Sequence, residues 1–143
     1  MPHTELSHGT LHYEESGAGA PVVFLHGYLM GARLWDPVVR LLEDEFRCLV
    51  PELPFGAHPA PMNPGADLTS ARAAAFAKPA LLAWAADDRW FPVEHAQRLA
   101  AVLPGAQLEV IADSRTWVMR DQPERTAHLI AGLARRAAAR QAA

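Results

Sequence analysis

Short apolar runs alternate along this chain with segments of helical periodicity, and no other feature constrains its fold as strongly. Four runs have the length and composition of strands: Pro21–Leu25, Phe46–Val50, Ala80–Ala85 and Gln107–Ile111. Apolar residues recur at helical spacing in three further segments: Ala32–Asp44, Pro92–Leu103 and Pro123–Arg140. Strands that alternate with helices in this way predict an α/β fold with a mostly parallel sheet and helices on both faces.

The remaining segments are a hairpin, a turn and a linker. His3–Ser7 and Thr10–Glu14 alternate as two strands of a hairpin, which brings the predicted sheet to about six strands. The glycine-rich stretch Ser16–Pro21 predicts a turn. Five prolines in Pro51–Pro64 exclude a helix or a central strand, so this stretch reads as a linker, followed by a short alanine-rich helix over Asp67–Ala77.

Composition limits the classes of function that the chain can serve. Its 143 residues predict one domain, and a net charge of −3 gives it no attraction to nucleic acid or to an anionic membrane. Cys48 is the single cysteine, so an internal disulfide is impossible and a reducing compartment fits. No signal peptide and no apolar run of about 20 residues is present, which predicts a cytoplasmic location.

Two blocks of the chain carry recognisable phrases. The first block, residues 1–56, contains Val22-Val23-Phe24-Leu25-His26-Gly27, and the second, residues 78–143, contains Trp84-Ala85-Ala86-Asp87-Asp88 with Pro92 after it. Both phrases resemble the α/β-hydrolase family, in particular its dehalogenase- and epoxide-hydrolase-like branch. Residues 57–77 form the junction between the blocks. The resemblance implies a minimal α/β-hydrolase-like domain in which strands five and six of the family order 1-2-4-3-5-6-7-8, the elbow region and the cap are missing.

The family resemblance also assigns candidate site residues. It implies that His26 and Gly27 end the third strand, that the backbone N–H of Tyr28 is an oxyanion donor, and that Leu29 lines the pocket. It places Asp88 at the position of the catalytic acid. A plain strand-to-loop turn at His26, and a turn-capping role for Asp88, explain the same residues without catalysis.

Two departures from the family pattern argue against catalysis. Thr116, 28 residues after Asp88, stands where the family has its histidine, and threonine has no group that titrates near neutral pH. No Gly-x-Ser-x-Gly elbow occurs, because only about ten residues separate Asp67 from Lys78 where the elbow and the cap would lie. No nucleophile is therefore assigned.

These observations predict a hydrolase by descent, of small esters, halides or epoxides, whose catalysis is impaired. One alternative is an active hydrolase with an unorthodox nucleophile, namely Ser114, Thr116 or Cys48. A second alternative is a non-catalytic interaction module, since the helices available leave one sheet face under-covered and predict a homodimer. The residues predict no cofactor and no metal site, and leave a small-molecule ligand open.

Overall fold

The computed structural model describes residues 2–6, 9–26, 30–52, 79–103 and 105–141. Its contacts divide the chain into two compact units, Met1–Ser70 and Ala71–Ala143, and each is described by itself. The helix predicted over Asp67–Ala77 and all but the first two residues of the Pro51–Pro64 linker lie outside the described residues. The organisation of the chain as one domain therefore stays a prediction.

The first unit contains a four-stranded sheet. Its strands are β1 (His3–Leu6), β2 (Gly9–Ser16), β3 (Ala20–Val23) and β4 (Phe46–Pro51), and their spatial order is β1-β2-β4-β3. The pairs β1–β2 and β2–β4 are antiparallel, whereas β3 and β4 are parallel. The order is the one that the family resemblance implies for the first four strands.

Two glycines make the turn between β2 and β3 possible. Gly17 and Gly19 have φ angles of +74° and +115°, which side chains rarely tolerate. A Cβ atom on Gly17 would lie 2.2 Å from the carbonyl oxygen of Phe46. The predicted turn at Ser16–Pro21 is therefore confirmed, and the close approach of the backbone excludes larger residues at Gly17.

The segment predicted as one helix over Ala32–Asp44 is a shorter and tighter structure. A 3₁₀ helix at Ala32–Trp35 leads into α1 (Asp36–Val39), and turns follow up to β4. Hydrogen bonds to the third residue back, such as Leu41 N–H to Val38 O at 3.1 Å, end the regular α-helix. Of the apolar positions that gave this segment its helical spacing, Leu34, Val38 and Leu42 are buried, whereas Leu41 is 50% exposed.

One face of the four-stranded sheet faces this helical segment and holds the core of the unit. On β4, Phe46, Cys48 and Val50 are buried, while Arg47 is exposed, as the alternation of a half-buried strand requires. A continuous apolar run such as Pro21–Leu25 is typical of a strand buried on both faces, but this run is not buried in that way. Among the described residues of the unit, β3 is the last strand of the sheet, and Val23 is 55% exposed while Leu25, just beyond it, is 59% exposed.

The second unit pairs two parallel strands and packs helices against them. The strands are β5 (Ala80–Ala85) and β6 (Ala106–Ile111), and the helices are α2 (Val93–Val102), α3 (Val118–Asp121) and α4 (Pro123–Gln141). Helix α2 contacts both strands, and α3 and α4 contact β5. All of these elements except the short α3 were predicted, and β5 has the predicted bounds.

The described residues include all six predicted strands, four of which pair in the sheet of the first unit and two in the sheet of the second. Two of the four described pairings are parallel. Within the described residues, no helix is long and apolar enough to cross a membrane.

Candidate functional site

His26 lies at the carboxyl end of β3 and is buried. It is 3% exposed, and its Nε2 lies 3.6 Å from Oε1 of Glu52, the residue that follows β4. The other oxygen of Glu52 accepts a hydrogen bond of 3.0 Å from the backbone N–H of Ala32. Glu52 thus contacts the side chain of His26 and the backbone of Ala32. The three other predicted residues of this group, Gly27, Tyr28 and Leu29, lie outside the described residues.

Glu52 was missed by the sequence analysis. It directly follows β4, whereas His26 lies three residues beyond β3, and the two strands are parallel, so their carboxyl ends meet at one edge of the sheet. That placement is the signal that could have identified it. Oε1 of Glu52 is buried, has no hydrogen-bond partner in the described part of the chain, and lies 3.6 Å from Nε2 of His26.

Asp88, three residues beyond β5, is held by its own turn. Its Oδ1 atom accepts hydrogen bonds from the backbone N–H groups of Trp90 at 2.8 Å and Phe91 at 2.9 Å. The indole N–H of Trp84 donates to the carbonyl oxygen of Phe91 at 2.7 Å and closes the same turn. This is the turn-capping geometry that aspartate commonly adopts.

Thr116 contacts the same carboxylate oxygen. Its hydroxyl donates a hydrogen bond of 3.0 Å to Oδ1 of Asp88, across 28 residues of sequence. The structure therefore brings together the two residues that the family resemblance places at the acid and histidine positions. Threonine supplies a neutral donor there and has no basic nitrogen.

The loop that carries Thr116 is fixed on both sides. Arg115 N–H donates to a carboxylate oxygen of Asp121 at 2.7 Å, and the side-chain amide of Gln122 donates to the carbonyl oxygen of Asp113 at 3.1 Å. Asp113 has a φ angle of +51°, an uncommon left-handed conformation. These contacts give Thr116 a defined position relative to β5.

The other candidate nucleophiles are inaccessible. Ser114 is 1% exposed, and its hydroxyl donates a 2.6 Å hydrogen bond to the carbonyl oxygen of Ile111. Cys48 is fully buried in β4, and burial, with a smaller contribution from the charge of Glu43, raises the pKa of its thiol. A raised pKa removes the reactive thiolate at neutral pH. Neither group is presented to a substrate in this structure.

No metal centre with three or more protein ligands is formed by the described residues. Of the candidate residues, His26 belongs to the first unit, whereas Asp88 and Thr116 belong to the second.

Curated relatives match only part of the chain. No family model matches the chain. A pimeloyl-[acyl-carrier protein] methyl ester esterase of Vibrio vulnificus is 40% identical over 53 residues, which are 37% of this chain. A haloalkane dehalogenase 2 of Mycobacterium bovis is 35% identical over 60 residues, or 41% of this chain. In each case the matched segment spans only 21% of the relative's length.

Solved structures match over most of the chain. A thermophilic esterase from Thermogutta terrifontis superposes with a TM-score of 0.77 at 16% identity, covering 96% of this chain and 99% of that one. An α/β-hydrolase enzyme, MGS-MChE2, from the metagenome of lagoon sediments of Mar Chica, Morocco, gives 0.69 at 17% identity, covering 92% and 97%. The chain has the α/β-hydrolase fold. In this hydrolase-fold chain, β1 to β4 and β5 to β6 are the strands that the two sequence blocks predicted.

Proposed function

We propose that this hydrolase-fold chain derives from hydrolases of small esters, halides or epoxides, and that its own catalysis is lost or strongly impaired. The observation that carries the proposal is the hydrogen bond from Thr116 to Asp88. This hydrogen bond supports a site in which the acid, Asp88, is retained next to the position of the base, and in which threonine has replaced the base. The similarity to an esterase and to a haloalkane dehalogenase supports the substrate class.

The loss of the base has a predictable cost. Removing one member of a catalytic triad lowers the turnover rate by about 10⁴–10⁶-fold, and the residual rate comes from binding and the oxyanion hole. Thr116 cannot accept and return a proton near neutral pH, because an alcohol does not titrate there. A small molecule could still bind, and such binding without turnover is part of the proposal.

An assay of the purified full chain tests this proposal. We expect no saturable hydrolysis of nitrophenyl esters or haloalkanes above the rate of a double variant, Asp88→Asn with Thr116→Val. Both changes keep the size of the side chain, so the double variant should fold and serve as a matched background. A turnover of about 1 s⁻¹ or faster, abolished in the double variant, would contradict the proposal.

An active hydrolase with an unorthodox nucleophile is the second candidate, and burial argues against it. Ser114 and Cys48 are both enclosed, and the hydroxyl of Thr116 is already engaged with Asp88. A non-catalytic interaction module is the third candidate, favoured by the exposed apolar residues of the first sheet.

We also infer a cytoplasmic location from the single, buried and unpaired Cys48, which fits a reducing compartment.

A further inference from the structure

The first hairpin places two histidines directly opposite each other. In the β1–β2 register His3 pairs with His12, so both side chains project from the same face of the hairpin. Their ring centroids are 5.8 Å apart, and the ring planes are inclined at 46°. Neither residue belongs to the hydrolase positions described above.

We propose that His3 and His12 chelate one zinc ion between the two strands. Zinc–nitrogen bonds measure about 2.0–2.1 Å, and an imidazole nitrogen lies about 1 Å from its ring centre, so two rings bound at a tetrahedral angle have centres about 5 Å apart. The observed separation of 5.8 Å is larger than this by less than about 1 Å. Rotation of both side chains, in exchange for a contact that His12 already makes, can therefore direct one nitrogen of each ring at a shared ion, and the strands keep their register.

The surroundings of the pair favour a cation. Glu5 on β1 and Glu14 on β2 each lie two positions from a histidine, on the same face of the hairpin. The hydroxyl of Thr10 holds the carboxylate of Glu5 at 2.9 and 3.0 Å. These carboxylates contribute negative potential beside the two imidazoles.

The ligand set defines the class of ion and the kind of site. Imidazole nitrogen suits zinc and related transition metals and does not suit calcium or magnesium. Since no three protein ligands come together among the described residues, water completes the coordination. Such a site is open, binds the ion reversibly, and releases it in acid, because only neutral imidazole is a ligand. By bridging β1 and β2, the bound ion stabilises the folded hairpin.

Calorimetric titration of the untagged full chain with zinc chloride tests the site. We expect one zinc per chain in the unmodified protein. Loss of a residue that only hydrogen-bonds to a metal ligand weakens metal binding about 10–100-fold. Loss of a ligand itself, in His3→Asn or in His12→Asn, should therefore weaken zinc binding by at least about tenfold. His128→Asn is the matched control, because His128 is an exposed histidine on α4, and it should leave the affinity unchanged.

A second measurement requires no substitution. The imidazole proton resonances of His3 and His12 should shift together as zinc is added, while those of His95 and His128 stay in place. Unchanged affinity in both hairpin variants would overturn the proposal. So would zinc-dependent shifts that are confined to the helical histidines.

Discussion

At the scale of single residues, the Asp88 carboxylate has two sets of neighbours. It accepts hydrogen bonds from the backbone of its own turn, at Trp90 and Phe91, and from the hydroxyl of Thr116. The turn-capping contacts need only an acceptor oxygen, whereas catalysis needs a charged partner for an imidazole. Asp88 therefore keeps a structural role, as the acceptor for its own turn, although the base is absent.

Two substitutions distinguish the turn-capping role of Asp88 from an effect of its charge. Asp88→Ala removes the acceptor of three hydrogen bonds, and we expect it to lower the free energy of unfolding by about 1–3 kcal/mol. Asp88→Asn keeps an acceptor oxygen at the same place and should cost less than about 1 kcal/mol. Urea denaturation of both variants measures the difference. Equal losses in the two variants would show that the charge of Asp88, and not its capping geometry, stabilises the turn.

Restoring a histidine at position 116 should not restore catalysis. In the Thr116→His variant the new imidazole would lie beside Asp88, since the wild-type hydroxyl already reaches that carboxylate at 3.0 Å. We expect no gain in ester hydrolysis, because the described residues present no accessible nucleophile for the base to activate. The steady-state rate on nitrophenyl esters checks this. A gain of a hundredfold or more would reveal a nucleophile that the sequence and the described residues did not identify.

At the scale of secondary-structure elements, Glu52 joins the end of β4 to the segment that follows β3. One oxygen binds the N–H of Ala32 at the start of the 3₁₀ helix, and the other faces His26. Ala32 is 1% exposed, so if the Glu52 side chain were removed, water could reach this N–H group only after a rearrangement. The side chain thereby fixes where the 3₁₀ helix begins relative to the sheet.

Substitution of Glu52 measures this connection. Glu52→Ala leaves the Ala32 N–H without an acceptor, and we expect a loss of about 1–3 kcal/mol in the free energy of unfolding. Glu52→Gln retains an acceptor oxygen and should recover most of that loss. Amide hydrogen exchange at Ala32 should accelerate in the alanine variant and stay slow in the glutamine variant. Slow exchange in both would mean that another group satisfies this N–H.

At the scale of the whole molecule, the exposed apolar face of the first sheet points to self-association. Val23 is 55% exposed and lines a concavity of about 310 Å³, whose other lining residues are the apolar or aromatic Leu11, Tyr13, Leu49 and Pro51 and the polar Thr4 and Arg47. A two-fold dimer that pairs these faces is the simplest closed assembly. The homodimer remains a proposal, and it has a direct test.

We expect sedimentation velocity to show a dimer at micromolar concentration. Val23→Glu should weaken the dimer by at least about tenfold, because burying an unpaired carboxylate costs more than about 1.4 kcal/mol. Val110→Glu, at a 47% exposed position on β6, is the control and should leave association unchanged. A compact, cooperative monomer that binds no hydrophobic dye would contradict the dimer.

The sequence by itself determined the strands and most of the helices, and the family resemblance singled out Asp88 and Thr116. Apolar periodicity is a local property, so β5 and α4 could be placed to within a residue or two. The 28-residue spacing of the family phrase assigned Asp88 and Thr116 to the acid and histidine positions, and the structure shows that their side chains are in contact. The length of the helix after Ala32 was overestimated, because the periodicity that identifies a buried face is the same for an α-helix and for a series of tighter turns.

Only the tertiary structure decided which strands are neighbours and which residues face each other. The pairing of strands within each unit, the position of β3 beside β4 and the register that sets His3 opposite His12 depend on hydrogen bonds between distant segments. Glu52 acquires its role in the same way, since Ala32 is 20 residues away along the chain. A one-residue change in register reverses the face of every side chain in a strand, and short-range sequence patterns do not record that choice.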